Sequence, residues 1–392
     1  KIAEPGRSIF NLGLIDTAQK ALDAGHSCRR NDIDILLIYV TTYALSATVL
    51  PIVLRAHVPV VLLNLQPTAA IEYESFNKMG SSTAMTGEWL AHCSACPMPE
   101  IANVFRRLDI AFRQVTGMLH VDPECWNQID EWLRAAHVGH ALSHSRLGLM
   151  GHYYSGMLDI ATDLTQVSGR FGIHIEILEV DELSRLRRGL AKETVTRKLE
   201  DFNEFFEVGK DCSRMELKRA AVTAVALDRF IEKNDLDMLA YYYKGTGVVE
   251  NEETISSIIL GTSMLTGRGV PVAGEYEVKN VIAMKIMDLL RAGGSFTEYY
   301  AMDYTEDVVL MGHDGPGHIG IAQDKIRVRP LRIYHGKVGN VLSVEMSVKH
   351  GPVTLLSVVE DKERGFALQV AEGESVPGAI LQIGNTNSRY RF

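Results

Sequence analysis

At 392 residues, with 46% hydrophobic and 23% charged side chains, the chain has the make-up of an ordinary globular protein long enough for two or three domains. A net charge of −9 and the lack of any Lys/Arg-dense run exclude the basic stripe that a phosphate backbone requires, so nucleic acid is not an expected partner. No stretch reaches the roughly 18 consecutive apolar residues of a membrane span. The opening KIAEPGRSIF also lacks the apolar core of a signal peptide, so no membrane association is expected and the expected location is cytoplasmic.

In chain order, DTAQKALDAGHSCRRND reads as a helix, IDILLIYV as a fully buried strand, TVLPIVLRAH as a helix and VPVVLLNL as another apolar strand. Strand, helix and strand with short connections predict a parallel, doubly wound sheet covered on both faces. Such a domain ordinarily opens with a strand and a helix, so the start at Lys1 carries the expectation that a first βα unit precedes it. After PEIANVFRRLDIAFRQVTGML and the long helix of DPECWNQIDEWLRAAHVGHALSHS, the alternation restarts at the apolar strand RLGLMG. Its units are a helix over MLDIATDLTQVSGRFG, a strand at IHIEILEV, two charged amphipathic helices through about residue 233, and a strand at LDMLAYYY. TISSIILGTSMLTGRG, VPVAGE and VKNVIAMKIMDLLRAGG then follow as helix, strand and helix, the last closed by Gly293 and Gly294.

Beyond residue 296 short runs separated by Gly, Pro or charged pairs (VRPLRIYHGKV, VLSVEMSVKHG, PVTLLSVVED, RGFALQVAEGESV, AILQIGN) predict antiparallel strands. The expected fold is α/β, with two doubly wound parallel-sheet domains over 1–144 and 145–295 followed by an antiparallel β domain over 296–392, the first and last of them incomplete. The odd cysteine count, five, argues for a reducing compartment. Cys93 and Cys96 form one C-x-x-C, which reads either as a redox or metal pair or as two small residues near a helix start.

In an open parallel sheet, ligands bind in the loops beyond the carboxyl ends of the strands. Glu275 stands in such a loop, after VPVAG, where Gly274 is expected to make the turn; the plainer reading is an acid stabilising the helix it precedes. Glu298, in GGSFTEYY, lies among Phe296, Tyr299 and Tyr300, a setting that raises a carboxyl pKa unless a cation matches it; the plainer reading is a surface acid. His313 and His318 bracket HDGPGH, with Asp314 as an extra carboxylate. Two carboxylates and an imidazole suit Mn²⁺, Co²⁺ or Mg²⁺ with positions open for substrate. GHYYSGML and YYYKG each follow a strand and are placed either to line a pocket or to pack at strand ends. No G-x-S-x-G, no phosphate-cradling G-x-x-x-x-G-K-[ST] and no G-x-G-x-x-G after the first strand is present.

AGE with Glu275, SFTE with Glu298 and MGH with His313 together resemble the L-arabinose/L-fucose isomerase family, in order and in spacing. More loosely, VVLLNLQP with Gln66 resembles a substrate-side segment, and Met157 and Tyr242 lie where that family has pocket-lining residues. The resemblance implies a Mn²⁺-dependent aldose–ketose isomerase of pentoses or 6-deoxyhexoses, assembled as a trimer or hexamer. It also implies Glu275 and Glu298 as acid–base pair and metal ligands, and His313 as a further ligand. Two departures stand out. The family's fourth ligand, a histidine late in the β domain, has no counterpart before Phe392, so the expectation is either that the sequence is truncated at both ends or that Asp314, His318 or solvent completes the shell. Met85 occupies a region where arabinose isomerases carry a pocket histidine. A non-catalytic sugar-binding protein and another metal-dependent sugar enzyme, an epimerase or aldolase, are the alternatives.

Overall fold

The computed structural model describes residues 7–334, 337–363 and 365–392. The start at Lys1, His335 and Gly336 of the VRPLRIYHGKV run, and Arg364 lie outside the described residues. The chain divides into two compact units, 1–140 and 141–392.

In the first unit, β1 (Leu36–Tyr39), β2 (Val60–Gln66) and β3 (Phe112–Met118) form a parallel sheet in that order. The continuous apolar run of β2 has a physical reason: its two faces enter two different clusters. Val60 and Leu62 pack with Ala24, Ile52, Ile101 and Phe105, whereas Val61, Leu63 and Leu65 pack with Cys125 and Ile129. A strand covered on both faces has no solvent side to make polar. The helix Ala18–Arg30 begins where Thr17 Oγ1 accepts the Lys20 N–H at 3.2 Å. Cys93 is buried and Cys96 exposed, both in the turns before the helix Met98–Arg107.

The second unit holds a parallel sheet of β4 (Arg146–Gly151), β5 (His174–Leu178), β7 (Met238–Tyr242) and β8 (Val272–Ala273) in the order β5-β4-β7-β8, with β6 (Phe206–Val208) lying outside it. Five strands then form an antiparallel sheet, β13-β14-β15-β10-β9, from β9 (Glu298–Asp303), β10 (Val308–His313), β13 (Gly351–Asp361), β14 (Gly365–Val376) and β15 (Thr386–Arg391). Two parallel α/β sheets and a following antiparallel sheet are the expected class. The strand β6 was not foreseen: it pairs in parallel with β11 (Ile326–Tyr334), which pairs antiparallel with β12 (Lys337–Glu345). One core joins the parallel sheet and its helices to the β11–β12 pair, from Leu227, Phe230 and Leu239 to Ile326, Val328 and Val344.

Several expected elements differ in detail. The helix expected from Met157 is a 3-10 turn, Leu158–Ile160, and then a helix over Leu164–Phe171, because Asp163 accepts the N–H groups of Thr165 and Gln166 and restarts it. Between residues 180 and 234 three helices stand where two were expected, Val180–Leu186, Lys192–Phe205 and Arg214–Asn234. The segment TISSIILGTSMLTGRG contributes to two helices, Val249–Ile255 and Ile259–Thr266. AILQIGN forms no strand; the last strand falls on TNSRYR instead, where Thr386 and Ser388 are buried and hydrogen-bonded.

Gly312 marks the tightest approach in the antiparallel sheet, where a Cβ would fall 1.8 Å from the Thr386 carbonyl oxygen. Gly312→Ala is therefore expected to lower stability by about 1–3 kcal/mol, measured as a shift of the urea midpoint at unchanged slope; an unshifted midpoint would contradict this packing.

Candidate functional site

At the carboxyl end of the parallel sheet in the second unit, β8 ends at Ala273 and the helix Val278–Leu289 begins after four intervening residues. Gly274 does not make the turn between them. The left-handed residues are Glu275 (φ 59) and Tyr276 (φ 65), so the tight conformation falls on two side-chain-bearing residues. The turn is held by the Tyr276 N–H donating to the Tyr241 carbonyl at 3.0 Å and by the Tyr154 N–H donating to the Glu275 carbonyl at 3.3 Å. It brings the Glu275 carboxylate to 3.8 Å from Nε2 of His313, the last residue of β10.

His313 is 3% exposed and stacks on Phe296, with centroids 3.9 Å apart and planes inclined by 14°. Its backbone is clamped by Thr386, whose hydroxyl accepts the His313 N–H at 3.1 Å and donates to the His313 carbonyl at 3.0 Å. Nδ1 lies 3.9 Å from the Asp314 carboxylate and has no hydrogen-bond partner among the described residues. Burial drives the imidazole pKa down, but the carboxylates of Glu275, Asp314 and Glu298 outweigh it and the net direction is up. Glu298 opens β9 and pairs in register with Gly312, beside His313. Burial raises its carboxyl pKa, the His313 charge lowers it, and Glu275 and Asp314 raise it further. Phe296, expected beside Glu298, serves the histidine, while Tyr299 is 65% exposed. Tyr300 is pushed up to about 12, chiefly by burial, and its hydroxyl accepts from the Asn385 amide.

The four ionisable groups from AGE, SFTE and MGHD thus feel one another's charge. Among the described residues, however, no three of His, Cys, Asp or Glu converge closely enough to hold an ion as they stand. The donor types, the crowded carboxylates and the unpartnered Nδ1 of His313 fit a hard divalent cation such as Mn²⁺, Co²⁺ or Mg²⁺. His318 is differently placed: its Nδ1 accepts the Gly320 N–H at 3.1 Å and its Nε2 faces Asp288 at 3.2 Å, so both ring nitrogens are committed. Tyr242, at the end of β7, packs edge-on against Tyr154, and Met157 is half-buried in the loop after β4. Gln66 belongs to the first unit, where its amide donates to the carbonyls of Thr68 and Ala69. Met85 lies in the helix Ser82–Ala91 of that unit and is half-buried.

One residue escaped the sequence reading. Glu277 caps the helix that follows Glu275, is 6% exposed, and is raised in pKa by burial against the opposing charge of Lys279 at 3.7 Å. The signal available was the repeated acid in AGEYE, two residues apart.

Because His313 titrates above its ordinary range, its pairing with the carboxylates stabilises the fold fully below the unfolded histidine pKa and is lost as pH rises through the folded value. Glu275→Gln removes the nearest of these charges. The His313 imidazole, followed by NMR in metal-free protein, is expected to titrate at lower pH in that variant; an unchanged titration would disprove the coupling.

No family model matches the chain. Curated proteins do: it is 24% identical over 279 residues to an L-arabinose isomerase of Nocardioides sp., a match covering 68% of this chain and 54% of the relative. It is 25% identical over 278 residues to the L-arabinose isomerase of Herpetosiphon aurantiacus, covering 67% of this chain and 53% of that one. The L-arabinose isomerase of an Arthrobacter sp. is 24% identical over 278 residues, covering 68% and 53%. The chain is similar to L-arabinose isomerases, and the matches span about half the length of these relatives. No helix among the described residues is long and apolar enough to cross a membrane.

Proposed function

We propose that the protein is a divalent-metal-dependent isomerase interconverting an aldose and a ketose of the pentose or 6-deoxyhexose class. The observation that carries this reading is the meeting of Glu275, Glu298 and His313, from three separate strand ends, in one electrostatic cluster. The similarity to L-arabinose isomerases supports the same reaction class.

Aldose–ketose isomerisation takes a proton from one of two adjacent carbons and returns it to the other, while negative charge gathers on the two oxygens they carry. Bound in this cluster by Glu275, Glu298 and His313, a divalent cation, Mn²⁺ first and Co²⁺ or Mg²⁺ as alternatives, would supply electrophilic stabilisation of that charge. Glu298, whose carboxyl pKa is raised by burial, is proposed as the acid of the pair, and Glu275, carried on its bonded turn, as the base. His313 stays oriented by the Phe296 stack and the Thr386 clamp, and its burial keeps water from one side of the reacting carbons. Asp314 is the better placed of the two additional ligands considered, since His318 is engaged with Asp288 and Gly320. Met157 and Tyr242 are assigned to the sugar, Gln66 is proposed as a further substrate contact, and a trimer or hexamer is the proposed assembly.

Glu275→Gln and Glu298→Gln are each expected to lower kcat for interconversion of L-arabinose or L-fucose with its ketose by about 10²–10⁴-fold, while the melting temperature holds. Either variant keeping wild-type kcat would sink the assignment. Chelation is expected to abolish turnover and Mn²⁺ to restore it; anomalous scattering at the Mn edge should place the ion against Glu275, Glu298 and His313, and an ion elsewhere would refute the site.

A further inference from the structure

We infer that Cys93 and Cys96 are a thiol-oxidation site, which a small oxidant, a peroxide or a disulfide, closes into one reversible intramolecular disulfide. The inference stands apart from the isomerase reading, because it concerns the first unit and its test reads thiols, not turnover.

The two sulfurs are brought together by local chain geometry. Residues 92–97 are turns that join the helix Ser82–Ala91 to the helix Met98–Arg107. The His92 N–H donates to the Trp89 carbonyl at 3.0 Å and the Cys93 N–H to the Leu90 carbonyl at 3.1 Å, and Pro97 then caps the second helix. Neighbouring loops hold this segment in place: the Leu90 carbonyl also accepts the Thr42 hydroxyl at 2.9 Å, and Nε2 of His92 meets the Thr68 hydroxyl at 2.8 Å. Residues three apart in a turn keep their Cα atoms within about 7 Å, and a disulfide spans about 4.4–6.8 Å between Cα atoms. The pair therefore needs little backbone movement to close. Burial raises the Cys93 thiol pKa first, and a hydrogen bond and charge from Cys96 raise it further, as adjacent sulfurs do.

Exposure divides the roles. Of the five cysteines only Cys96 is exposed; Cys28, Cys93 and Cys125 are buried, and Cys212 is half-buried with its thiol donating to the Val328 carbonyl at 3.4 Å. Cys96 is thus the thiol that meets an oxidant, and Cys93, 6% exposed and three residues away, is the one that resolves it. Metal binding is the other use of a C-x-x-C, and the surroundings do not support it. Both ring nitrogens of His92 are engaged, Nε2 with Thr68 and Nδ1 with the Glu88 carbonyl at 3.1 Å, and among the described residues no third His, Cys, Asp or Glu converges on the pair.

With hydrogen peroxide, the Cys96 thiolate attacks one oxygen, the O–O bond breaks, and one water leaves as Cys96 becomes a sulfenic acid. The Cys93 sulfur then gives up its proton, attacks the Cys96 sulfur and displaces the second water. The two thiols lose two electrons and two protons, and the peroxide takes up both. With oxidised glutathione, Cys96 displaces one glutathione thiolate and Cys93 displaces the other. A dithiol reductant reverses either route.

The test treats the reduced full chain with hydrogen peroxide in one arm and oxidised glutathione in the other, then alkylates it and digests it with trypsin without reductant. The peptide from residue 79 to residue 106 carries Cys93 and Cys96 and no other cysteine. In both arms it is expected to emerge about 2 Da lighter and unlabelled, while Cys28, Cys125 and Cys212 take up label once the chain is unfolded. Dithiothreitol should return both thiols. Cys96→Ser is expected to slow oxidation of Cys93 by about tenfold or more, since the buried thiol then meets the oxidant alone. In Cys93→Ser, Cys96 should stop at a sulfenic acid that dimedone traps, or at a mixed disulfide in the glutathione arm. Circular-dichroism melts check that both variants fold. A disulfide in only one arm supports the pair and identifies its oxidant. A peptide that keeps both labels, a wild-type Cys96 that advances to sulfinic acid or retains glutathione while Cys93 stays a thiol, or a disulfide between two chains overturns it.

Discussion

The left-handed pair Glu275–Tyr276 is the constraint on which the site depends. Each residue carries a Cβ into a region where that atom crowds the backbone, at a cost of about 1–2 kcal/mol per residue. The conformation persists because its surroundings over-determine it: the Tyr276 ring is buried against Tyr153, its N–H is bonded to β7, and the Glu275 carbonyl is bonded to the loop after β4. A glycine at either position would relieve the crowding, yet would give up the carboxylate or the buried ring. Strain here is the geometric condition for a carboxylate to sit 3.8 Å from a buried imidazole.

That imidazole is the second half of the arrangement. Burying a cation is costly, and His313 is buried almost completely. Three carboxylates answer for it, Glu275, Asp314 and Glu298, and the same three repel one another: the Glu298 pKa is raised first by burial and then by Glu275 and Asp314. One imidazolium cannot neutralise three carboxylates. Surplus negative charge around a ring whose Nδ1 has no hydrogen-bond partner among the described residues is what an added cation would relieve, so the metal proposal rests on electrostatic balance as well as on likeness.

The repeating pattern of the α/β sheets was legible because each strand's composition reports its burial. The β2 run is apolar throughout since both faces are covered, and β4 and β7 likewise read from VVLLNLQ-like stretches in RLGLMG and LDMLAYYY. The strand β6 was not legible, because three residues at the end of a charged helix carry no period, and only their pairing with β11, more than a hundred positions later, makes them a strand. In the site, the identities of Glu275, Glu298 and His313 could be read from type and spacing. Their conformations could not: Gly274 was the natural candidate for the turn, and the sequence has no sign that two residues with side chains take it instead. Glu277 was hidden for a related reason, since a helix N-cap acid is ordinarily exposed and its burial follows from packing of the loop after β4 through Lys279.

The proposed base comes from a parallel sheet and the histidine from an antiparallel one, so their separation is only as fixed as the joint between those layers. A hinge between them would let the carboxylate and the ring drift by more than catalysis tolerates. Two features of the second unit oppose this. One hydrophobic core joins Phe230 and Leu239 to Val328 and Val344 of the β11–β12 pair, and just beyond β12 the Met346 carbonyl accepts the Asn387 N–H of β15 at 2.9 Å. The Thr386 clamp then ties β10 to β15 at the histidine itself. Core, backbone bond and clamp run in sequence from the parallel sheet to the histidine, so a site assembled from three strand ends can be held by backbone geometry instead of by the ligand it is proposed to bind.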